Sequence, residues 1–150
     1  MPPSKRKAPT FEDVEAIYDS LPEEQKLLVN PHGPFVDSPF LAARYVSPDK
    51  SGFGEAYRLP SYNDDEAFVA LAVRPDRQGK GEGKKILRRL AQEAKRNRIK
   101  TLLYRAANTN EASKRLATSF AGNEGEQDEE EGYTRWSIPV PVTPVRRKRD

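Results

Sequence analysis

The sequence predicts an α/β domain built on a strand–helix–strand unit, and three observations predict it. Ala67-Phe-Val-Ala-Leu-Ala-Val73 is seven apolar residues in a row, as in a central strand covered on both faces. A glycine-rich turn and an amphipathic helix follow, with Ile86, Leu87, Leu90, Ala91 and Ala94 on one stripe. A second apolar run, Ile99 to Tyr104, comes directly after that helix. A right-handed crossover makes these two strands parallel neighbours.

The remaining elements follow in order. Residues 1–9 form a Pro/Lys/Arg arm, residues 10–140 the domain, and residues 141–150 a Pro-rich basic tail. Thr10-x-x-Asp13 and Ser20-x-x-Glu23 read as capping boxes for short helices over 11–19 and 21–29, with Pro22 in the first turn of the second. Asn30-Pro-His-Gly-Pro34 breaks the second helix. Strands are expected over 40–46 and 54–59, with turns at 47–52 and 60–65. A helix is expected over 108–121, with Ala112, Leu116 and Phe120 on its stripe and Gly122 past its end. Six acids in the eight residues 124–131 read as a solvated loop, and 133–140 as a last strand.

Composition narrows the chemistry. The chain has 150 residues, 26 Lys/Arg against 23 Asp/Glu, no cysteine and one histidine, His32. Thiol catalysis, disulfides and Cys-type or His-cluster metal sites are therefore excluded, and no metal is expected. No apolar run is long enough to span a membrane, and the first residues lack the apolar core of a secretory signal. The expectation is a soluble, cytoplasmic domain. The two basic ends could dock on an anionic protein or a nucleic acid, though short charged tails are commonly just solvated.

The turn Gln78-Gly79-Lys80-Gly81-Glu82-Gly83 sits between an apolar strand and a helix start. A helix N-terminus offers unpaired N–H groups and the positive end of its dipole. Glycines permit close backbone approach, and Lys80, Lys84 and Lys85 add charge. Together these make an anion site suited to phosphate or pyrophosphate. The ATP-type pattern G-x-x-x-x-G-K-S/T fails, because Gln78 replaces its first glycine and Lys85 its hydroxyl. The dinucleotide pattern G-x-G-x-x-G fails at Lys84.

The longer string Leu71-Ala-Val-Arg-Pro-Asp-Arg-Gln-Gly-Lys-Gly-Glu-Gly83 resembles the acetyl-CoA signature of the GNAT superfamily of N-acetyltransferases. That signature is Q/R-x-x-G-x-G/A after a strand ending in Val-x-Pro, and Gln78, Gly81 and Gly83 match it. Arg105-Ala106 and Asn108-Thr-Asn110 resemble the family's next strand and helix start, and the resemblance covers residues 35–140. It implies a mixed, mostly antiparallel sheet with a central parallel pair flanked by helices. It implies that the backbone of Leu71, Ala72 and Val73 pairs with the pantetheine arm of acetyl-CoA, with a bulge there splaying the parallel strands. A backbone N–H near Val73 would polarise the thioester carbonyl. Gln78, Gly79, Lys80, Gly81, Glu82 and Gly83 would wrap the pyrophosphate, Lys84 would meet the 3′-phosphate, and Asn110 would contact the cofactor.

The match is incomplete where proton transfer is concerned. The position of the family's tyrosine acid, seven residues after that asparagine, is Ala117. Glu66 is the best remaining base candidate and Glu55 a weaker one, while Tyr104 and Tyr133 offer phenols that also suit a core. His32 reads as a turn residue. The leading expectation is an acetyl-CoA-dependent N-acetyltransferase acting on a primary amine acceptor by direct attack in a ternary complex, as a homodimer or larger assembly. The alternative is a non-catalytic module on the same scaffold, docking through its basic arms. The Asn30–Pro34 and Asp37–Phe40 stretches look similar to those of bacteriophage-encoded members, which would place the chain in the host cytoplasm or a virion. An intact cleft between the Val73 and Tyr104 strands favours the enzyme.

Overall fold

The computed structural model describes residues 9–29, 40–58, 63–121, 125–128 and 131–140. His32, the break at 30–34, both basic ends and Gly122 lie outside the described residues.

Two short helices come first, α1 (Phe11–Asp19) and α2 (Glu23–Val29). Thr10 closes a capping box with Asp13 at the start of α1, as its sequence predicts. Ser20 does not cap α2. Its hydroxyl donates to the Ile17 carbonyl at 2.6 Å, so it ends α1, and Pro22 precedes α2 rather than entering it.

A six-stranded sheet follows, in the order β1-β2-β3-β4-β6-β5. Its strands are β1 (Leu41–Val46), β2 (Gly52–Tyr57), β3 (Glu66–Val73), β4 (Thr101–Ala107), β5 (Glu126–Asp128) and β6 (Tyr133–Pro139). Between β3 and β4 runs α3 (Glu82–Arg96), and between β4 and β5 runs α4 (Glu111–Ala121). β3 and β4 are parallel and every other neighbouring pair is antiparallel. This is the expected mixed α+β architecture.

The helices cover two faces. On one, α3 and α4 bury Leu87, Leu90, Ala91, Ala94, Ala117 and Phe120 against Leu102, Tyr104, Trp136 and Ile138. On the other, Val14, Ile17 and Leu21 pack on Phe53 and Ala72. All five residues of the predicted α3 stripe are buried.

Four further expectations need correction. β2 begins at Gly52, not Gly54, because Gly52 and Phe53 pair with Val73 and Ala72 of β3, and α3 lies so close there that a Cβ on Gly52 would stand 2.5 Å from Ile86 Cδ1. α4 begins at Glu111, and its buried residues are Ala117 and Phe120, while Ala112 is exposed. The acidic stretch is not all loop, since Glu126–Asp128 pairs with β6 and leaves its carboxylates beside Arg135. Finally, β3 is central but not fully covered: Phe68, Val69, Ala70 and Leu71 are half-buried. That last difference bears on the candidate site. No helix among the described residues is long and apolar enough to cross a membrane.

Candidate active site

The parallel pairing of β3 with β4 is short. It runs from Glu66↔Thr101 to Phe68↔Leu103 and stops. Beyond it, β3 continues five residues to Val73 and β4 four residues to Ala107. β3 stays in unbroken register with β2 from Phe68 to Val73, so the expected bulge is absent. β4 stays in register with β6 over its whole length. Each half of the sheet follows its own partner and its own twist, and the two halves part after Leu103. The result is an opening flanked by Val69–Val73 on one strand and Tyr104–Ala107 on the other.

The glycine-rich turn stands at the mouth of this opening. A single 3-10 turn, Pro75–Arg77, ends β3, and Gln78 follows in extended conformation. Gly79 and Gly81 have φ of +79° and +81°, where a side chain is strained, and a Cβ on either would meet no heavy atom within 4 Å. The space before them is open. Gly81 is the N-cap of α3 and supplies no side-chain oxygen, so the first N–H groups of the helix face that space without a side-chain cap. Lys80 and Lys84 are exposed beside it.

Other predicted residues are held in specific ways. Gln78 Nε2 donates to the Val73 carbonyl and to Gln25 Oε1, each at 2.9 Å, so it ties the turn to the strand end and to α2. Glu82 faces away from the turn and accepts from the buried Ser51 hydroxyl at 3.3 Å. Asp49 pairs with Arg77, and the hydrogen bonds from Ser51 and Arg77 hold its carboxyl well below the ordinary carboxylate range. The β1–β2 turn thereby braces the glycine-rich turn from behind. Gly83 lies where α3 crosses α4, since a Cβ there would stand 3.1 Å from Leu116 Cδ2. Asn110 caps α4, accepting from Ser113 N–H at 3.2 Å through Oδ1.

The catalytic candidates separate. Tyr104 is buried at the vertex of the opening, on the α4 side, with its hydroxyl 2.6 Å from Ser113 Oγ and its ring edge-on to Trp136. Burial pushes its phenol up to about 12. Glu66 sits at the closed end of the pair, opposite Thr101, and accepts from Asn63 Nδ2 at 2.9 Å. At a rise of about 3.3 Å per residue it lies about 17 Å along the strand from Leu71, so the fold does not bring it to the opening. Glu55 is fully buried under α1, held by Arg44 Nε at 2.7 Å and by the Tyr57 hydroxyl. Ser113 and Gln25 escaped the sequence reading, because Ser113 meets Tyr104 only once α4 folds back on β4, and Gln25 meets Gln78 from 53 residues away.

Residues 8–122 match the model of the Acetyltransferase (GNAT) family. The chain belongs to that family. Its fold agrees with solved structures that are 18–19% identical. The GNAT domain of S. lividans PAT matches with a TM-score of 0.68 at 18% identity, over 86% of this chain and 84% of that one. A protein of Klebsiella pneumoniae assigned as an acyl-CoA N-acyltransferase gives 0.61 at 19% identity, over 89% and 93%. A ribosomal-protein alanine N-acetyltransferase of Escherichia coli gives 0.58 at 19% identity, over 89% and 91%. No curated protein matches the chain. As a GNAT domain the chain is an acetyltransferase, and acetyl-CoA is its acyl donor.

Proposed function

We propose that this GNAT domain is an N-acetyltransferase that acetylates a primary amine directly, with no covalent enzyme intermediate. The observation that carries the reading is the parallel pair that opens after three residues beside an uncapped helix N-terminus. The residues fit acetyl-CoA. The edge of Leu71, Ala72 and Val73 has no strand partner on the β4 side and suits an extended pantetheine arm. The open space at Gly79 and Gly81, the N-terminus of α3 and the ammonium groups of Lys80 and Lys84 suit a pyrophosphate. Gln78 holds the turn in position, and Asn110 lies at the α4 side of the opening. Glu82 and Gly83 would act behind the loop rather than on the phosphates.

Acetyl-CoA supplies an activated acetyl thioester. The chain's part is to align it in the opening, with a backbone N–H near Val73 directed at the carbonyl oxygen, and to admit the amine from the α1 side. The amine nitrogen would attack the carbonyl carbon, forming the C–N bond as the C–S bond breaks, and coenzyme A would leave as its thiolate and take up a proton from water. Tyr104 stays protonated at ordinary pH and holds a proton, shared with Ser113, at the vertex. Neither Val69–Val73 nor Tyr104–Ala107 carries a carboxylate, so the amine's proton passes to water.

The test is calorimetric titration of acetyl-CoA into the wild type and Gly81→Glu, followed by thiol release with a panel of primary amines. Binding by the wild type alone, and amine-dependent release, are expected. No binding by either protein overturns the reading.

A further inference from the structure

Every exposed position of α3 but one is a cation. The cations are Lys84, Lys85, Arg88, Arg89, Lys95 and Arg96, and the exception is Gln92. At 3.6 residues per turn these positions share one half of the helix, opposite the buried stripe of Ile86, Leu87, Leu90, Ala91 and Ala94. At about 1.5 Å per residue the strip from Lys84 to Arg96 is about 18 Å long.

Part of this charge has a local reason. Lys84 stands beside the glycine-rich turn, and Lys95 and Arg96 suit the negative end of the helix dipole. Lys85, Arg88 and Arg89 have neither reason. Lys84 with Arg88 and Lys85 with Arg89 are i,i+4 pairs, and Lys85 with Arg88 is an i,i+3 pair. Like charges at those spacings destabilise a helix. Helix stability therefore does not account for the middle of the strip.

The surroundings leave it strongly positive. The acids of α3 are Glu82 and Glu93. Lys85 lies 3.9 Å from Glu82 and Arg96 3.3 Å from Glu93, in surface pairs worth little. Arg89 donates to the neutral Gln92 at 3.4 Å. Among the described residues, Lys84, Arg88, Arg89 and Lys95 have no carboxylate partner.

The composition of the strip narrows the anion it suits. Protein interfaces are built around apolar and aromatic anchors and are depleted in Lys, and the strip carries no such anchor. A helix lying on a membrane buries its apolar face in lipid, whereas that of α3 is already packed on the sheet. With no aromatic residue the strip cannot stack unpaired bases. A duplex backbone needs only Lys and Arg to meet it, and at one charge per about 1.7 Å it offers about ten phosphates along the strip.

We infer that the outer face of α3 is a docking surface for double-stranded nucleic acid, held through its phosphates without reading sequence. The inference stands apart from the acetyltransferase reading. The acceptor path proposed above enters from the α1 side, on the other face of the sheet, so a duplex on α3 leaves it open.

The test is fluorescence anisotropy of labelled DNA and RNA duplexes of one sequence, titrated with the full chain over a salt series. At about 150 mM salt the tighter duplex is expected to bind with a Kd between about 1 and 100 μM, and its identity names the source of the backbone. About five phosphate contacts give DNA a slope of log association constant on log salt of about −4 to −5. Arg88→Gln combined with Arg89→Gln is expected to weaken binding about tenfold and to reduce that slope by about two. Arg88→Lys combined with Arg89→Lys keeps both charges and most of the affinity. Circular-dichroism melts of both double variants are expected to match the wild type, because the two side chains are exposed. Polyglutamate is expected to compete at least about tenfold more weakly than unlabelled duplex. No binding of either duplex overturns the inference. Binding unchanged by Arg88→Gln with Arg89→Gln also overturns it and moves the contact to the basic ends of the chain. Polyglutamate competing as well as duplex overturns the partner class in favour of an acidic protein.

Discussion

The Tyr104 hydroxyl lies 2.6 Å from Ser113 Oγ, joining the middle of β4 to the first turn of α4. Burial raises this phenol to about 12, and the Ser113 bond opposes only part of that rise. The neutral form is therefore favoured in the folded state. Its stabilisation is complete below an unfolded value of about 10 and is lost as pH rises from about 10 to about 12. Two pH units correspond to about 2–3 kcal/mol. Urea unfolding between these limits is expected to show stability falling with pH, and Tyr104→Phe to remove that part of the slope. A slope unchanged in the variant refutes the assignment.

Arg44 and Glu55 form a buried pair whose value lies in being complete. Glu55 is fully buried and the Arg44 side chain is 12% exposed. Arg44 also lies over the Phe11 ring, so the pair joins the sheet to α1. Arg44→Met leaves a buried carboxylate with one partner, Tyr57, and is expected to cost about 3–5 kcal/mol by urea denaturation. Glu55→Gln, which keeps a hydrogen-bonding oxygen, should cost less. An Arg44→Met cost under about 1 kcal/mol would show that water reaches the carboxylate.

Asp13 at the start of α1 is held at about 2 by Lys50, whose ammonium lies 2.5 Å from it, and by the Thr10 N–H. A depressed carboxyl contributes stability above its unfolded value near 4 and loses it as pH falls towards 2. A carbon-detected NMR titration of Asp13 is expected to show the low midpoint, and Lys50→Ala to raise it. A midpoint unmoved by that change would assign the depression to the helix cap alone.

The βαβ unit and the glycine-rich turn were legible because both are local. The Ile86–Ala94 stripe and the Gly79–Gly83 turn lie within one short stretch, and the structure keeps each where its pattern places it. The position of Glu66 relative to the opening was not legible, for the opposite reason. Its place at the head of an apolar strand shows nothing about where that strand leaves its neighbour. The Phe68↔Leu103 limit of the pairing is set by β2 and β6, which pull the two halves apart. Ser20 misled at short range, since a hydroxyl between two helices can end the first as readily as start the second.

Glu66 provides a direct check on where chemistry occurs. It stands at the closed end of β3, and its partner is Asn63. Glu66→Gln keeps the shape and the hydrogen-bond acceptor. Acetyl transfer is therefore expected to stay within about twofold of wild type, in the range of an ordinary surface change. A fall of about a hundredfold or more would mark it as a general base and would require an acceptor path reaching that end of the strand.

Gly83 tests whether the last glycine of the turn serves the ligand or the helices. Alanine is ordinarily about 1 kcal/mol better than glycine inside a helix. Here a Cβ would press on Leu116 Cδ2 at 3.1 Å, so Gly83→Ala is expected to gain nothing or to destabilise. Leu116→Ala removes the obstacle at the cost of a half-buried side chain. In that background Gly83→Ala should become stabilising by up to about 1 kcal/mol, which a double-mutant cycle in urea reads as coupling between the two positions. Acetyl-CoA affinity should match that of Leu116→Ala alone, because α3 keeps its uncapped start at Gly81. If affinity falls with the second substitution while stability rises, Gly83 is needed for close approach of the ligand and not only for the meeting of α3 with α4.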